Sequence, residues 1–193
     1  MDLRMRHVAV LYAMLCFFGP DFSFGQQQTF TLSPLFSYSP QHTGVPGGFN
    51  AGISAGVVLG GPFSLSTSLF VGSRTVAYDG LNQSSSLALS VSEYEAHLSA
   101  IIAGNPTGPS LSALVGGGIA VSSTEDLSLS AGGLGQVRIP ARSDHRGFLA
   151  SGISALLPIS SRTAIVVEPS VRAYDVRFPL DFTLTGGLRV GLF

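Results

Sequence analysis

No internal run of about 18 apolar residues occurs in this chain, so no segment can cross a membrane as a helix. Charge is scarce. Asp, Glu, Lys and Arg make 11% of the 193 residues, where a soluble domain carries roughly 25%. Tryptophan is absent, and so is lysine; every basic residue is arginine. A formal net charge of −1 offers nothing for nucleic acid to bind. The lone cysteine, Cys16, sits in the N-terminal apolar stretch, so a chain without that stretch has no disulfide. Clustered metal ligands, a phosphate-binding glycine loop and paired carboxylates are all missing from the pattern, which leaves no cofactor and no metal to expect.

What the chain does have is apolar residues, 45% of the total, together with 24 glycines. Abundant apolar residues that never form a long run must be interrupted by polar ones, and the interruption is regular. Leu180 to Phe193 reads LDFTLTGGLRVGLF, with Leu180, Phe182, Leu184, Leu188, Val190 and Leu192 on every second position. Period two means a strand whose two faces differ. Phe193 falls one residue out of the phase of the outward set, and a bulge at Gly191 would restore it.

The N-terminus reads as a secretory signal. Arg4, Arg6 and His7 precede an apolar core from Val8 to Phe18, and Gly19-Pro20 breaks it. Ser23 and Gly25 supply small residues for a cut between Gly25 and Gln26. Residues 1–25 are therefore expected to be removed, leaving 26–193 as the folded domain.

Seven further alternating stretches precede the last one. They run from Thr29 to Tyr38, Phe49 to Leu59, Phe63 to about Tyr78, Leu87 to Ala103, Leu111 to Val121, Phe148 to Leu157 and Ala164 to Tyr174. In the fourth, the apolar set moves from odd positions (Leu87, Leu89, Val91) to even ones (Tyr94, Ala96, Leu98), which predicts a bulge near Ser92. Short turns such as Gly60-Gly61-Pro62 and Asn105 to Ser110 follow strands two, four and six. Longer or more polar connections follow one, three and five, the longest spanning Ser122 to Arg146. Such alternation belongs to transmembrane barrels, which have short periplasmic turns and longer outer loops. Strand lengths above the roughly 9–11 residues that span a bilayer agree with it.

With its eight strands, its alternating connections and its C-terminal aromatic, the chain resembles the small eight-stranded outer-membrane β-barrel proteins of Gram-negative bacteria. The resemblance implies an all-β, up-and-down antiparallel, porin-like barrel in the outer membrane. It also implies contact with outer-membrane lipid, and Phe193 as the signal shown to the barrel assembly machinery. A soluble secreted β-sandwich or a lipocalin-like barrel is the rival fold, and it would turn the apolar face inward.

Inward positions carry Arg74, Glu93, Glu95 and His97 on the middle strands, and Glu168, Arg172 and Arg189 on the last two. An eight-stranded barrel is just wide enough for side chains to fill, and charges buried there must be paired. An ionic plug in a closed lumen is the expectation, with pairing among Glu168, Arg172 and Arg189; a narrow channel or a ligand-binding barrel is the alternative. His97-Leu98-Ser99 resembles the His-x-Ser segment of outer-membrane lipid A deacylases, which implies His97 as base and Ser99 as nucleophile. Ala100 stands where those enzymes have asparagine. The preferred reading is a non-catalytic structural or surface-interaction protein, with the 122–146 connection as the place where a surface partner binds.

Overall fold

The computed structural model describes residues 30–40, 47–80, 83–105, 108–130, 136–174 and 180–192. The expected signal peptide, residues 1–25, and the terminal Phe193 lie outside them. The described strands are β1 (Phe30–Ser39), β2 (Gly48–Gly60), β3 (Phe63–Gly80), β4 (Gln83–Gly104), β5 (Ser110–Thr124), β6 (Leu127–Ser130), β7 (Gln136–Ile139), β8 (Arg142–Pro158), β9 (Thr163–Ala173) and β10 (Asp181–Gly191). Eight of them close into an antiparallel barrel in the order β1-β10-β9-β8-β5-β4-β3-β2, and β6 pairs with β7 alone.

Alternation decides which side chain goes where. On β10, Asp181, Thr183 and Thr185 are buried while Phe182, Leu184 and Leu188 are exposed. The same division holds on β5, where Leu114 is buried and Val115 is 59% exposed, and on β8, where Phe148 is buried and Leu149 is 73% exposed. Among residues with described side chains, each Asp, Glu and Arg either points into the barrel or lies at a strand end or connection. An apolar outer wall free of charge is what a lipid-facing surface requires. The rival sandwich and lipocalin-like folds, with the apolar face inside, are thereby excluded.

Short connections gather at one end, together with Phe30 and Gly191. The β2–β3 turn uses Gly60 and Gly61 at φ 119° and 56°, which glycine adopts without a Cβ penalty. The β8–β9 turn is closed by Ile159 N–H donating to the Thr163 carbonyl at 2.8 Å. This end is periplasmic by the short-turn rule.

Four features differ from the expectation. First, β4 has no bulge near Ser92. Its ladders to β3 and β5 run in register through that point, and the register shift falls between Ile101 and Ala103. Leu87, Leu89 and Val91 are buried along with Glu93, Glu95 and His97. The inner face changes chemistry toward the outer end, while the backbone keeps its phase.

Second, β3 and β4 are longer than the periodicity suggests, pairing from Phe63–Ala100 to Gly80–Gln83. At 22 residues, β4 has about twice the length a bilayer needs.

Third, the stretch from 122 to 146 is largely strand. Thr124 faces Arg142, and Leu127 faces Ile139 in the same register. The β6–β7 pair therefore continues the β5–β8 ribbon beyond a short break at Pro140, which has no N–H to give. Asp126 anchors the break, accepting from the Ala141 N–H and pairing with the Arg138 guanidinium.

Fourth, no bulge occurs at Gly191. The β1–β10 ladder keeps one register from Tyr38–Leu184 to Thr31–Gly191, and Leu192 N–H donates to the Phe30 carbonyl at 2.8 Å.

Two prolines interrupt ladders inside the wall. The β1–β10 ladder passes from Leu32–Val190 to Leu35–Gly187, skipping Pro34. The β8–β9 ladder passes from Gly152–Ser170 to Ala155–Val167, skipping the position opposite Pro169. Each loses a backbone donor at that point.

Both the wall and the ribbon can be tested by substitution. Val115→Arg, on the lipid face, is expected to destabilise the barrel by about 2–4 kcal/mol in urea titrations in lipid bilayers; Ser123→Arg, at the outer end of the same strand, should cost far less. The Arg138 guanidinium first, and the Ala141 N–H second, hold the Asp126 carboxyl below the usual carboxylate range. A depressed carboxyl contributes stability above its unfolded pKa and loses it as pH falls through its folded value. The protection of the Ala141 amide against exchange, relative to its intrinsic rate at each pH, should therefore hold at neutral pH and fall only in strong acid, and Asp126→Asn should lower it throughout.

Candidate functional site

The inward residues of β2, β3, β4 and β9 meet in the outer half of the lumen. Arg172 is the hub and is 1% exposed. One terminal nitrogen lies 3.0 Å from Glu93 Oε2, and the other pairs with Glu95 Oε1. Its guanidinium carbon stands 4.9 Å from the centre of the Phe148 ring, a cation–π arrangement. Asn50, also 1% exposed, donates to Glu93 Oε2 at 3.2 Å and accepts from Arg74 at 3.0 Å. Arg74 further donates to the Phe49 carbonyl at 3.3 Å. Arg172 thus meets both carboxyl groups directly, and Arg74 reaches Glu93 through the Asn50 amide.

Glycines let this group pack. A Cβ on Gly116 would lie 2.4 Å from His97 Cδ2, one on Gly118 would meet the Phe148 ring at 2.8 Å, and one on Gly52 would meet Phe70 at 2.4 Å. Gly116 and Gly118 are close-packing positions for large inward neighbours, whereas a Cβ on Gly117 would meet the Phe148 carbonyl at 2.7 Å and the outward Leu149 side chain at 3.4 Å.

A second pair lies on β9 and β10. Arg189 stands 3.8 Å from Glu168 Oε1, and the Ser154 hydroxyl donates to the same oxygen at 2.8 Å. Ser154 and Glu168 occupy facing positions where the β8–β9 ladder is interrupted, so a side-chain bond spans the gap left by Pro169. Arg172 does not join Glu168, contrary to the expected grouping on neighbouring strands; its partners come from β4 across the lumen. Asn50 and Phe70 belong to the packed lumen although they do not stand out in the sequence. Their inward parity was the available signal.

His97 and Ser99 share the inner face of β4, but no hydrogen bond joins them among the described residues. The Ser99 hydroxyl bonds to that of Ser64. His97 Nε2 faces Glu95 Oε2 at 3.6 Å, and Glu95 is already held by Arg172. Both residues lie toward the periplasmic end of β4. No group of three or more possible metal ligands occurs among the described residues.

This architecture is that of the small bacterial outer-membrane β-barrels. A major outer membrane protein of Thermus thermophilus superposes with a TM-score of 0.59 and 13% identity, covering 86% of this chain and 100% of that one. Ail, the attachment invasion locus protein of Yersinia pestis, gives 0.52 and 13%, covering 85% and 95%. Neisserial surface protein A gives 0.52 and 11%, covering 86% and 97%. No protein-family model and no curated relative matches the chain.

Removing one partner of a buried pair leaves an uncompensated charge. Arg172→Ala is expected to cost about 3–5 kcal/mol of barrel stability. In a Glu93→Gln, Glu95→Gln background the same substitution should cost much less, and equal costs in the two backgrounds would show that the three residues are not coupled.

Proposed function

We propose that the protein is a non-catalytic outer-membrane barrel whose sealed lumen supports an extracellular binding surface on its raised hairpins. The β5–β8 ribbon, continued in register by β6–β7, carries this reading. The connection is strand-paired in the register of β5 and β8 and so extends the barrel wall as a hairpin. Stiff elements on a rigid scaffold lower the ordering cost of binding. Arg138, Arg142, Asp144, His145 and Arg146 are exposed or half-buried along the projection and offer mixed charge to a surface partner.

The fold neighbours support the role by analogy. One is an attachment invasion locus protein, also known in complex with the heparin analogue sucrose octasulfate, and another is a surface protein. In this reading residues 1–25 direct export, and Phe193 addresses the barrel assembly machinery. The buried Arg172, Glu93 and Glu95 act as a plug, and Ser99 bonds to Ser64 where a nucleophile would need His97 as its base.

Replacing 127–139 by a short turn tests the role. The shortened barrel should still fold, shown by a gel band whose mobility shifts on heating. It should lose attachment to a sulfated-glycan or cell surface that the full protein binds. Full attachment by the shortened barrel would move the binding surface elsewhere, and stable conductance of the full protein in planar bilayers would overturn the sealed lumen.

A further inference from the structure

The barrel strands do not end at one height. β9 pairs with β8 only from Leu149–Ala173 toward the periplasm, whereas β8 stays paired with β5 as far out as Arg142–Thr124. Above Leu149, β8 therefore has a strand on one side only among the described residues. Arg142 shows which side is which. Its N–H donates to the Thr124 hydroxyl at 3.2 Å, and its carbonyl accepts from the same hydroxyl at 3.4 Å. Even residues of this segment thus turn their backbone groups toward β5, and strand alternation turns those of Ser143 and Gly147 to the opposite, open edge. The ladder to β5 has no bulge there, and Arg142 to Gly147 contains neither proline nor lysine. Bulges, prolines and lysines are the common devices that blunt a strand edge. Beyond Pro140, β7 continues the edge in the same register.

Charge selects what fits this edge. Arg138, Arg142 and Arg146 share one phase of the strand at four-residue spacing. Asp126 holds Arg138, and Asp144 holds Arg146 at 2.8 Å. Arg142 is exposed and forms no ion pair among the described residues. The outward phase carries Ser143, His145 and Gly147 where the wall below carries apolar residues, so the segment stands above the lipid. A second copy does not suit it. Antiparallel pairing of two such edges would turn one barrel over. Barrels side by side in one membrane, with strands tilted about 35–45°, would cross these edges instead of aligning them.

We infer that the open edge of β8 and β7 takes up a strand from an extracellular protein, an extended acidic segment that pairs through its backbone and sets a carboxylate opposite Arg142. The inference rests on the extracellular binding surface proposed above and names the chemistry of its partner. In strand addition the main chain supplies affinity and the flanking side chains supply selectivity. An acid facing Arg142 across the pair is favoured, and a basic residue there is repelled.

The test uses the full mature barrel in phosphatidylcholine nanodiscs, with amide exchange followed by NMR. The probe is a synthetic peptide of about ten alternating threonines and valines, with glutamate in place of every second threonine. It should slow exchange at Ser143 and Gly147, relative to their intrinsic rates, and leave Asp144 and Arg146, whose N–H groups face β5, as they were. Arg142→Gln should weaken binding by up to about fivefold, and Arg162→Gln, in the β8–β9 turn at the periplasmic end, should not change it. Ser143→Pro removes one edge donor, which strand edges tolerate; with a heat-shifted gel band showing that it folds, it should lose the peptide. No slowing, or equal slowing by a fully N-methylated peptide or by one with lysine for glutamate, would overturn the proposal. Heparin fragments that bind without slowing Ser143 and Gly147, where the peptide does nothing, would overturn strand addition and keep the binding surface. Slowing that rises with barrel concentration in the absence of peptide would make the occupant a second copy and overturn it as well.

Discussion

Inside a bilayer no water is available to satisfy the backbone, so every strand must find a neighbour on both sides. Pairing of β1 with β10 meets that requirement, and the rest of the structure follows from the closed wall. Closure creates an inside and an outside. The outside can then carry an apolar face without charge, and the inside can carry arginines and glutamates that a membrane would otherwise reject. The wall is not uniform. Pro34 and Pro169 each remove a backbone donor on one side of the β9–β10 hairpin, and at Pro169 the Ser154–Glu168 bond spans the interruption with side chains. This hairpin is therefore bounded by the two least continuous seams in the described barrel.

Much of this was legible in residue parity. The alternation in Phe49 to Ile53 and in Phe182 to Leu188 separates exposed apolar from buried polar positions, although Val57, in the outward phase, is buried, and Arg74, Glu93, Glu95, Glu168, Arg172 and Arg189 all fall on inward positions. Partner choice was not legible. Chain neighbours suggest that Arg172 meets Glu168, whereas strand tilt and the width of the lumen bring it to Glu93 and Glu95 on β4. Parity also misled where chemistry changed without a change of backbone. Leu87, Leu89 and Val91 look like lipid-facing residues out of phase, but they are inward residues at the outer end of the barrel, beyond the charged layer. In Leu127 to Ser130 and Gln136 to Ile139 the alternation is too brief to separate from polar loop, and only the shared register with β5 and β8 shows these stretches to be strand.

The outer hairpin and the packed lumen share strands. β5 and β8 carry the hairpin at their outer ends, and lower down Gly116 and Gly118 on β5 leave the space that His97 of β4 and Phe148 of β8 occupy. A side chain at either glycine would clash with those residues, so a dense lumen and the hairpin above it are built on the same strand.

The charged hub also ties together distant parts of the chain. Arg172 is separated from Glu93 by 79 residues and from Glu95 by 77, and it stands on the penultimate barrel strand. Without β9 the two carboxylates would have no guanidinium bonded to them directly, and an unpaired charge at membrane depth is costly. The lumen's ion pairs therefore exist only in a wall that includes β9, whatever the order in which the strands pair.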